Sequence, residues 1–501
     1  MGLLRGGRPA SPAGSEEPLL NAQDNSRRSS RDEEAVKLPN SSRTARKRLT
    51  ILTCLLAASI AAVGVVVYFL ASHKLFPKTP STRPHRPQLD SPIKNVVVLV
   101  QENLSFDAIA GGLTYNPDID NLVNRTFCNP ANSSDPNSPQ VCAKSVAKNV
   151  APDDPDHSIA GGNFQVYGTD HPDLSVDRPT MQGFVTEQIR SYGINGDLAR
   201  ASEVINYYAP EHIPIFNTLA ENYILFDRWF AAVPGPTNPN RAYMTSGTSH
   251  GHGWNDPGFD VSALPQLSIF EQLSAANISW INYSNATGFS PDALFYTWTA
   301  KNAKSHIQYI DQFYADAASG TLPQFTWINP ECCTYQSFHP PSPTNIGEDF
   351  IKSIYEALRS SPQWNETLFI LTFDEHGGFA DHVPPPENVP AGDDIVYTEV
   401  AKDGRATTFH FDRLGIRVPT LLISPWVGKG VVEHAPASGS DSGVGRKGEE
   451  YTHTSILKYV ADLWGLEYLG PRVEWSASFG DLVREEFRGD TPVRLPESVV
   501  F

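Results

Sequence analysis

Thr367–Pro386 reads TLFILTFDEHGGFADHVPPP. Its first part, Leu368–Leu371, is an unbroken apolar run between two threonines. That is the composition of a strand buried on both faces of a sheet. The run ends in Asp374-Glu375-His376, then the breaker pair Gly377-Gly378, then Asp381-His382. Open α/β sheets bind ligands at the carboxyl ends of their strands. Within a regular strand Asp374 and Glu375 would point to opposite faces. At a strand end opening into a glycine turn, both can swing toward one centre. Two adjacent carboxylates repel each other unless a cation neutralises them, so the stretch predicts a bound metal ion.

A second stretch repeats this design. Asn95–Gln101 (NVVVLVQ) is another strand with no charged residue, and it breaks into Glu102-Asn103. If the two strands lie near each other in one parallel sheet, Glu102, Asn103, Asp374 and Glu375 converge into a site made only of oxygens. Such a donor set suits Mg²⁺, Ca²⁺ or Mn²⁺, with Zn²⁺ a further possibility. Further along, VPGPTNPNR (233–241) sets Thr237 among three prolines, which fix its backbone with little entropy left to lose. A hydroxyl held rigidly beside a cation can become a nucleophile. Arg241 offers a planar fork that matches a phosphate, and His250 follows in a glycine-rich loop, SGTSHGHG (246–253).

The remaining chain supplies the setting. A net charge of −17 over 501 residues excludes an ordinary nucleic-acid binder, which would show a basic face. Residues 1–48 are rich in Ser, Arg, Glu and Pro, contain no aromatic residue, and read as a disordered tail. Residues 49–72 form an uncharged apolar run preceded by the basic cluster Arg43–Arg48. Such a run is long enough to span a bilayer, and the cluster puts its N-terminal side in the cytosol. This is the pattern of a single-pass signal anchor. Residues 73–93 form a proline-rich stalk, 94–470 a single catalytic domain, and 471–501 a C-terminal tail. The domain would be lumenal or extracellular, at the cell surface, in a vacuole or elsewhere in the secretory pathway. In that compartment Cys128 and Cys142 are expected to form a disulfide. Sequons at Asn124, Asn132, Asn277, Asn282, Asn285 and Asn365 would be open to glycosylation. The sequon at Asn103 would be closed by its role as a ligand.

Five segments occur together in one order: VLVQENLSFD (98–107), DRWF with TNPNR (227–241), SGTSHG (246–251), DEHGGFADHVP (374–384) and LGIRVPTLLISPW (414–426). Together they resemble the phosphoesterase family of non-specific phospholipases C and related acid phosphatases, an alkaline-phosphatase-like group. The resemblance implies an α/β fold with a doubly wound, mainly parallel sheet sandwiched by helices. It also implies one divalent ion held by Glu102, Asn103, Thr237, Asp374 and Glu375, with Thr237 the nucleophile. His157, His339 and His382 would surround the phosphoryl group. Leu104 and Ala380 stand where the family commonly has Arg and Tyr, which bears on substrate fit. The activity implied is phospholipase C cleavage of a glycerophospholipid through a phospho-threonine. The alternatives are an acid phosphatase acting on soluble phosphomonoesters, and a catalytically inactive glycoprotein ectodomain.

Overall fold

The computed structural model describes residues 88–194, 196–285, 290–330, 336–436 and 449–501. The apolar run 49–72 and the pair Cys332-Cys333 lie outside them. Among the described residues no helix is long and apolar enough to cross a membrane.

Eight strands form the central sheet. In chain order they are β1 (Asn95–Gln101), β2 (Ile224–Phe226), β3 (Trp280–Ser284), β4 (Ile307–Tyr309), β5 (Phe325–Asn329), β6 (Thr367–Phe373), β7 (Thr420–Ile423) and β8 (Val431–Glu433). Their spatial order is β8-β2-β7-β6-β1-β5-β3-β4. Every residue of β1 and β6 is buried, so side chains on both faces of the sheet centre are covered. The two strands pair in parallel from Asn95↔Thr367 to Gln101↔Phe373. This register ends both strands at one level, and the Asp374 amide donates to the Gln101 carbonyl at 3.0 Å.

The sheet is mainly parallel, with one strand running the other way. β7 runs antiparallel to both β6 and β2. A parallel neighbour requires a crossover that carries the chain back along the sheet, usually as a helix. No helix of the structure falls between Phe373 and Thr420, only the ribbon Tyr397–Val400/Ala406–Phe409. The chain therefore enters β7 from the end at which it left β6.

Five helices position the site or brace the sheet: α1 (Ile159–Tyr167), α2 (Pro214–Asn222), α3 (Thr237–Ser246), α4 (Thr344–Ser360) and α5 (Thr454–Trp464). α4 buries Phe350, Ile351, Ile354, Tyr355 and Leu358 at helical spacing. Its buried Glu348 accepts hydrogen bonds from the Ile215 and Phe216 amides at 2.8 and 2.9 Å. Those are free N–H groups at the start of α2, so one carboxylate caps one helix with another. α5 starts at His453 and stops at Gly465, whose φ of 65° suits the left-handed helix end.

The C-terminal tail, residues 471–501, packs onto the domain. Arg472 is buried and donates to the Ala232 carbonyl at 2.9 Å, and the Phe501 ring stacks on His212 at 4.0 Å. Cys128 and Cys142 face each other across the ribbon Cys128–Pro130/Gln140–Cys142 and are joined by a disulfide. Asn124, Asn132, Asn277 and Asn365 are exposed, and Asn285 is half-buried. Asn282 is a correction. It is fully buried in β3, its amide donates to the Asn329 side chain at 2.8 Å, and its oxygen accepts from the Ala293 amide at 3.0 Å. No space or valence remains there for a sugar.

A buried charge cluster ties the loops at the sheet's carboxyl end. Arg417 donates to Asp381 and Asp107, both at 3.0 Å, and to the Asp227 carbonyl at 2.7 Å. Removing one partner of such a cluster leaves carboxylates buried without a countercharge. Arg417→Met is expected to lower unfolding free energy by about 3–5 kcal/mol, measured by urea denaturation.

Candidate active site

Glu102 and Asn103 leave the end of β1 while Asp374 and Glu375 leave the end of β6. The turn is tight. Asn103 and Leu104 have φ of 62° and 81°, a left-handed conformation that is uncommon for residues with a Cβ. The Asp374 carboxylate holds it by accepting from the Asn103 amide at 3.1 Å and from the Glu375 amide at 2.8 Å. Gly377, at φ 62°, lies so close to Asn103 that an added Cβ would come within 2.7 Å of the asparagine Cβ. Its amide donates to Glu375 at 2.6 Å. Thr237, the first residue of α3, completes the group: its hydroxyl donates to Glu102 at 3.3 Å. All five residues are buried.

The electrostatics of this group are unfavourable as it stands. Burial and the neighbouring Asp374 push the Glu102 carboxyl up to about 7. Burial and the same neighbour push Glu375 well above the usual carboxylate range. Asp374 is raised by burial, opposed by Arg241. Asn103 Oδ1 and one oxygen of Glu375 are buried with no hydrogen-bond partner. Crowded carboxylates with orphaned oxygen acceptors among them fit a hard divalent cation, which would supply the missing charge and take the free lone pairs.

Two imidazoles border this group. His157 Nδ1 donates to the Pro155 carbonyl at 2.7 Å, and His339 Nδ1 to the Pro340 carbonyl at 2.6 Å. Each ring thereby turns Nε2 inward, His157 toward Glu375 at 4.0 Å and His339 toward Asp154 at 3.6 Å. The rings meet edge to face, with centroids 6.2 Å apart. Asp154 joins the two halves, because it also accepts from the Asn103 side-chain amide at 3.3 Å. Candidate ligand atoms of Asp154, His157 and His339 all lie within 4.8 Å of one another.

Three expected site residues are elsewhere or otherwise engaged. Arg241 does not offer a free fork to phosphate. Its guanidinium donates to Asp374 at 2.8 Å, Asp292 at 3.4 Å and the Val100 carbonyl at 3.3 Å. It orients a carboxylate and offsets the local negative charge. His382 is bound at both ring nitrogens, to Asp107 at 2.7 Å and Asp120 at 3.1 Å, within the Arg417 cluster. Despite its burial, those two carboxylates raise its pKa to about 9. Both of its ring nitrogens are thus committed to carboxylates. His250 lies half-buried in the turn after α3, where its amide donates to Thr248 at 2.9 Å, and among the described residues no contact joins its ring to the carboxylate group.

Other contributors carry no mark in the sequence. Asp292 anchors Arg241 and accepts from the Trp327 indole at 2.7 Å. His453, at the start of α5, donates from Nε2 to the Asp374 carbonyl at 2.6 Å and accepts from the Trp229 indole at 3.3 Å. Burial lowers its pKa to about 3, which keeps it neutral. Neither residue sits in a local pattern that sets it apart. Asp154 is visible in the sequence only as one acid among several in an Asp-Asp-Pro-Asp-His turn.

A threonine hydroxyl at a helix start, beside buried oxygen donors at the carboxyl end of an α/β sheet, is an arrangement that fits a hydrolase of phosphate esters. The family model named Phosphoesterase matches residues 93–467, and the chain belongs to that family. Non-specific phospholipase C4 of Arabidopsis thaliana is 38% identical over 420 residues, covering 81% of this chain and 74% of that protein. Hemolytic phospholipase C of Pseudomonas aeruginosa is 26% identical over 423 residues, covering 75% of this chain and 53% of its own. Among solved structures, an alkaline phosphatase superfamily protein from Vibrio parahaemolyticus overlays 53% of this chain and 63% of its own. The TM-score is 0.33, at 12% identity.

Two outcomes are expected. Gly377→Ala should displace the Asn103 side chain and weaken Mn²⁺ binding about tenfold or more, read by titration calorimetry. The raised pKa of His382 contributes stability that is fully present below about 6.5 and lost as pH rises through about 9. Denaturation midpoints should therefore fall between those values, and His382→Gln should remove that dependence.

Proposed function

We propose that this chain is a metal-dependent phospholipase C, hydrolysing the phosphodiester of glycerophospholipids with Thr237 as nucleophile. The observation that carries the reading is the 3.3 Å hydrogen bond from the Thr237 hydroxyl to Glu102, inside the group of orphaned carboxylate and amide oxygens. The relatives named as phospholipases C support the choice of a lipid phosphodiester.

Glu102, Asn103, Asp374, Glu375 and the Thr237 oxygen would hold the ion. Its chemistry, when bound, is to lower the pKa of the threonine hydroxyl and to neutralise charge on the phosphoryl oxygens. The chain's own residues do the rest. Glu102 aims the hydroxyl and receives its proton as the Thr237 oxygen bonds to phosphorus. The bond from phosphorus to the glycerol oxygen breaks, and that oxygen takes a proton from the inward Nε2 of His157 or His339. Diacylglycerol leaves. Water then attacks the phospho-threonine, the imidazole accepts a water proton, and Thr237 recovers its own from Glu102 as the phosphorylated head group departs. Arg241 keeps Asp374 fixed throughout, through bonds made before substrate arrives.

The setting belongs to the same proposal. Residues 49–72 anchor the chain with the N-terminus cytosolic, and the catalytic domain faces the lumen or the exterior. The Cys128–Cys142 disulfide supports an oxidising compartment. The exposed Asn124, Asn132, Asn277 and Asn365 are the glycan acceptors of that side.

The test compares Thr237→Ala with the parent chain on phosphatidylcholine in mixed micelles and on a soluble aryl phosphate. Loss of the nucleophile is expected to lower diacylglycerol release by a factor on the order of 10⁴, and Thr237→Ser should retain much of it. Chelator should abolish release, and Mg²⁺, Ca²⁺, Mn²⁺ or Zn²⁺ should restore it. Preference for the soluble monoester would replace this reading with an acid phosphatase. Turnover of neither substrate with metal restored would leave an inactive ectodomain.

A further inference from the structure

The ribbon Tyr397–Val400/Ala406–Phe409 lies between the two loops that carry the chemistry. On one side the Ala160 amide donates to Glu399 at 2.5 Å and Lys402 binds Asp156 at 2.5 Å, which brackets His157. On the other side lies the loop that follows α3. An added Cβ on Gly251 would stand 2.3 Å from the Ile395 side chain, and one on Gly253 would stand 2.2 Å from the Tyr397 ring. That loop returns to the nucleophile, because Asn255 accepts from the amide of Asn238 at 2.8 Å. The ribbon thus forms part of the rim of the site.

Its outer face is unusual for a solvated ribbon. The cross-strand pairs Thr398↔Thr408 and Val400↔Ala406 have both members exposed, and none of the four is charged. Exposed ribbons ordinarily carry charged side chains there. Val400 is 71% exposed, and Val396, on the same strand side, 48%. Ile395, 39% exposed, packs against Gly251, and Trp254, 50% exposed, follows Gly253, which packs against Tyr397 of the ribbon. Trp254 is the only exposed tryptophan of the chain's nine, and all nine are described. Four such side chains present on the order of a few hundred Å² of apolar surface. That is well short of the roughly 800 Å² per partner that a stable dimer needs. It does match the shallow insertion of a tryptophan and aliphatic residues into a lipid interface. The outward positions of the two strands carry no Lys or Arg, and the cations of the turn between them are already paired, Lys402 with Asp156 and Glu187 and Arg405 with Asp403, so attraction to anionic lipid is not the mode.

We propose that Trp254, Ile395, Val396 and Val400 form a docking surface for a zwitterionic phospholipid bilayer, laying the mouth of the site on the membrane. The proposal rests on the phospholipase reading for its substrate, and its test separates the two. The full chain is reconstituted with phosphatidylcholine vesicles, and diacylglycerol release is compared with hydrolysis of water-soluble p-nitrophenyl phosphorylcholine. Val396→Glu combined with Val400→Glu should lower the vesicle rate about tenfold or more, as charge placed in an interface does, and leave the soluble rate within about twofold. Independently, brominated phosphatidylcholine should quench tryptophan emission in an inactive Thr237→Ala background, and Trp254→Phe should remove that quenching. An unchanged vesicle rate, an equal fall on both substrates, or quenching that survives Trp254→Phe would overturn the docking surface. So would a parent dimer that the two glutamates dissociate. If the parent chain turned over neither substrate, the phospholipase reading would fall and the quenching would decide the docking surface alone.

Discussion

Three carboxylates buried in one pocket would drive their own loops apart, and the site is organised around preventing that. Among the described residues Arg241 is the only permanent cation bonded to the trio, and it reaches only Asp374. Asp374 spends its other oxygen on two backbone amides, so its charge is met on both sides. Glu102 and Glu375 are not compensated in this way, and their proton affinity rises accordingly. The fold holds them together regardless, through seven paired positions of β1 and β6 backed by a buried core. The sheet supplies the strength, and the residual repulsion becomes affinity for a cation.

A second polar cluster stabilises the frame without joining the chemistry. Arg417, Asp107, Asp381 and His382 link the segment after Glu102-Asn103 to the segment after Asp374-Glu375. Ser105 donates to the Ala380 carbonyl at 2.6 Å, and the Phe106 amide donates to the Arg417 carbonyl at 3.0 Å. In this cluster Asp107, Asp120 and Asp381 meet the guanidinium and the imidazolium, and Asp120 also meets Arg125. In the other, three acids meet one guanidinium. The contrast in charge balance separates a structural knot from a binding site more clearly than residue types do.

The two central strands were legible in the sequence because short apolar runs, Val96–Val100 and Leu368–Leu371, that lead into acids fit little besides buried strands that deliver ligands. Convergence of Glu102 and Asp374 followed once those strands were taken as parallel neighbours. Arg241 and His382 were read as phosphate-facing, and the structure bonds both to carboxylates, for one physical reason. A guanidinium or imidazole suited to phosphate suits a carboxylate equally well, and the carboxylates concerned, Asp292 and Asp120, lie 51 and 262 residues away. The antiparallel β7 was hidden because direction depends on the connection, and the 374–419 segment carries no periodic signal either way. Asn282 matched a sequon, but its strand is buried by partners that lie elsewhere in the chain.

The pairing that builds the cation cradle spans 271 residues of chain. During synthesis at about 5–20 residues per second, Asn103 is made on the order of tens of seconds before Asp374 exists. In a chain threaded into an oxidising lumen, Asn103-Leu104-Ser105 passes the sugar-transferring machinery while still unfolded. The same amide that ends as an orphaned oxygen under Gly377 begins as a bare acceptor. Under the proposed lumenal topology, a glycan added at that stage would keep Asn103 from packing under Gly377, a hazard that its final burial conceals and that arises before β6 is made.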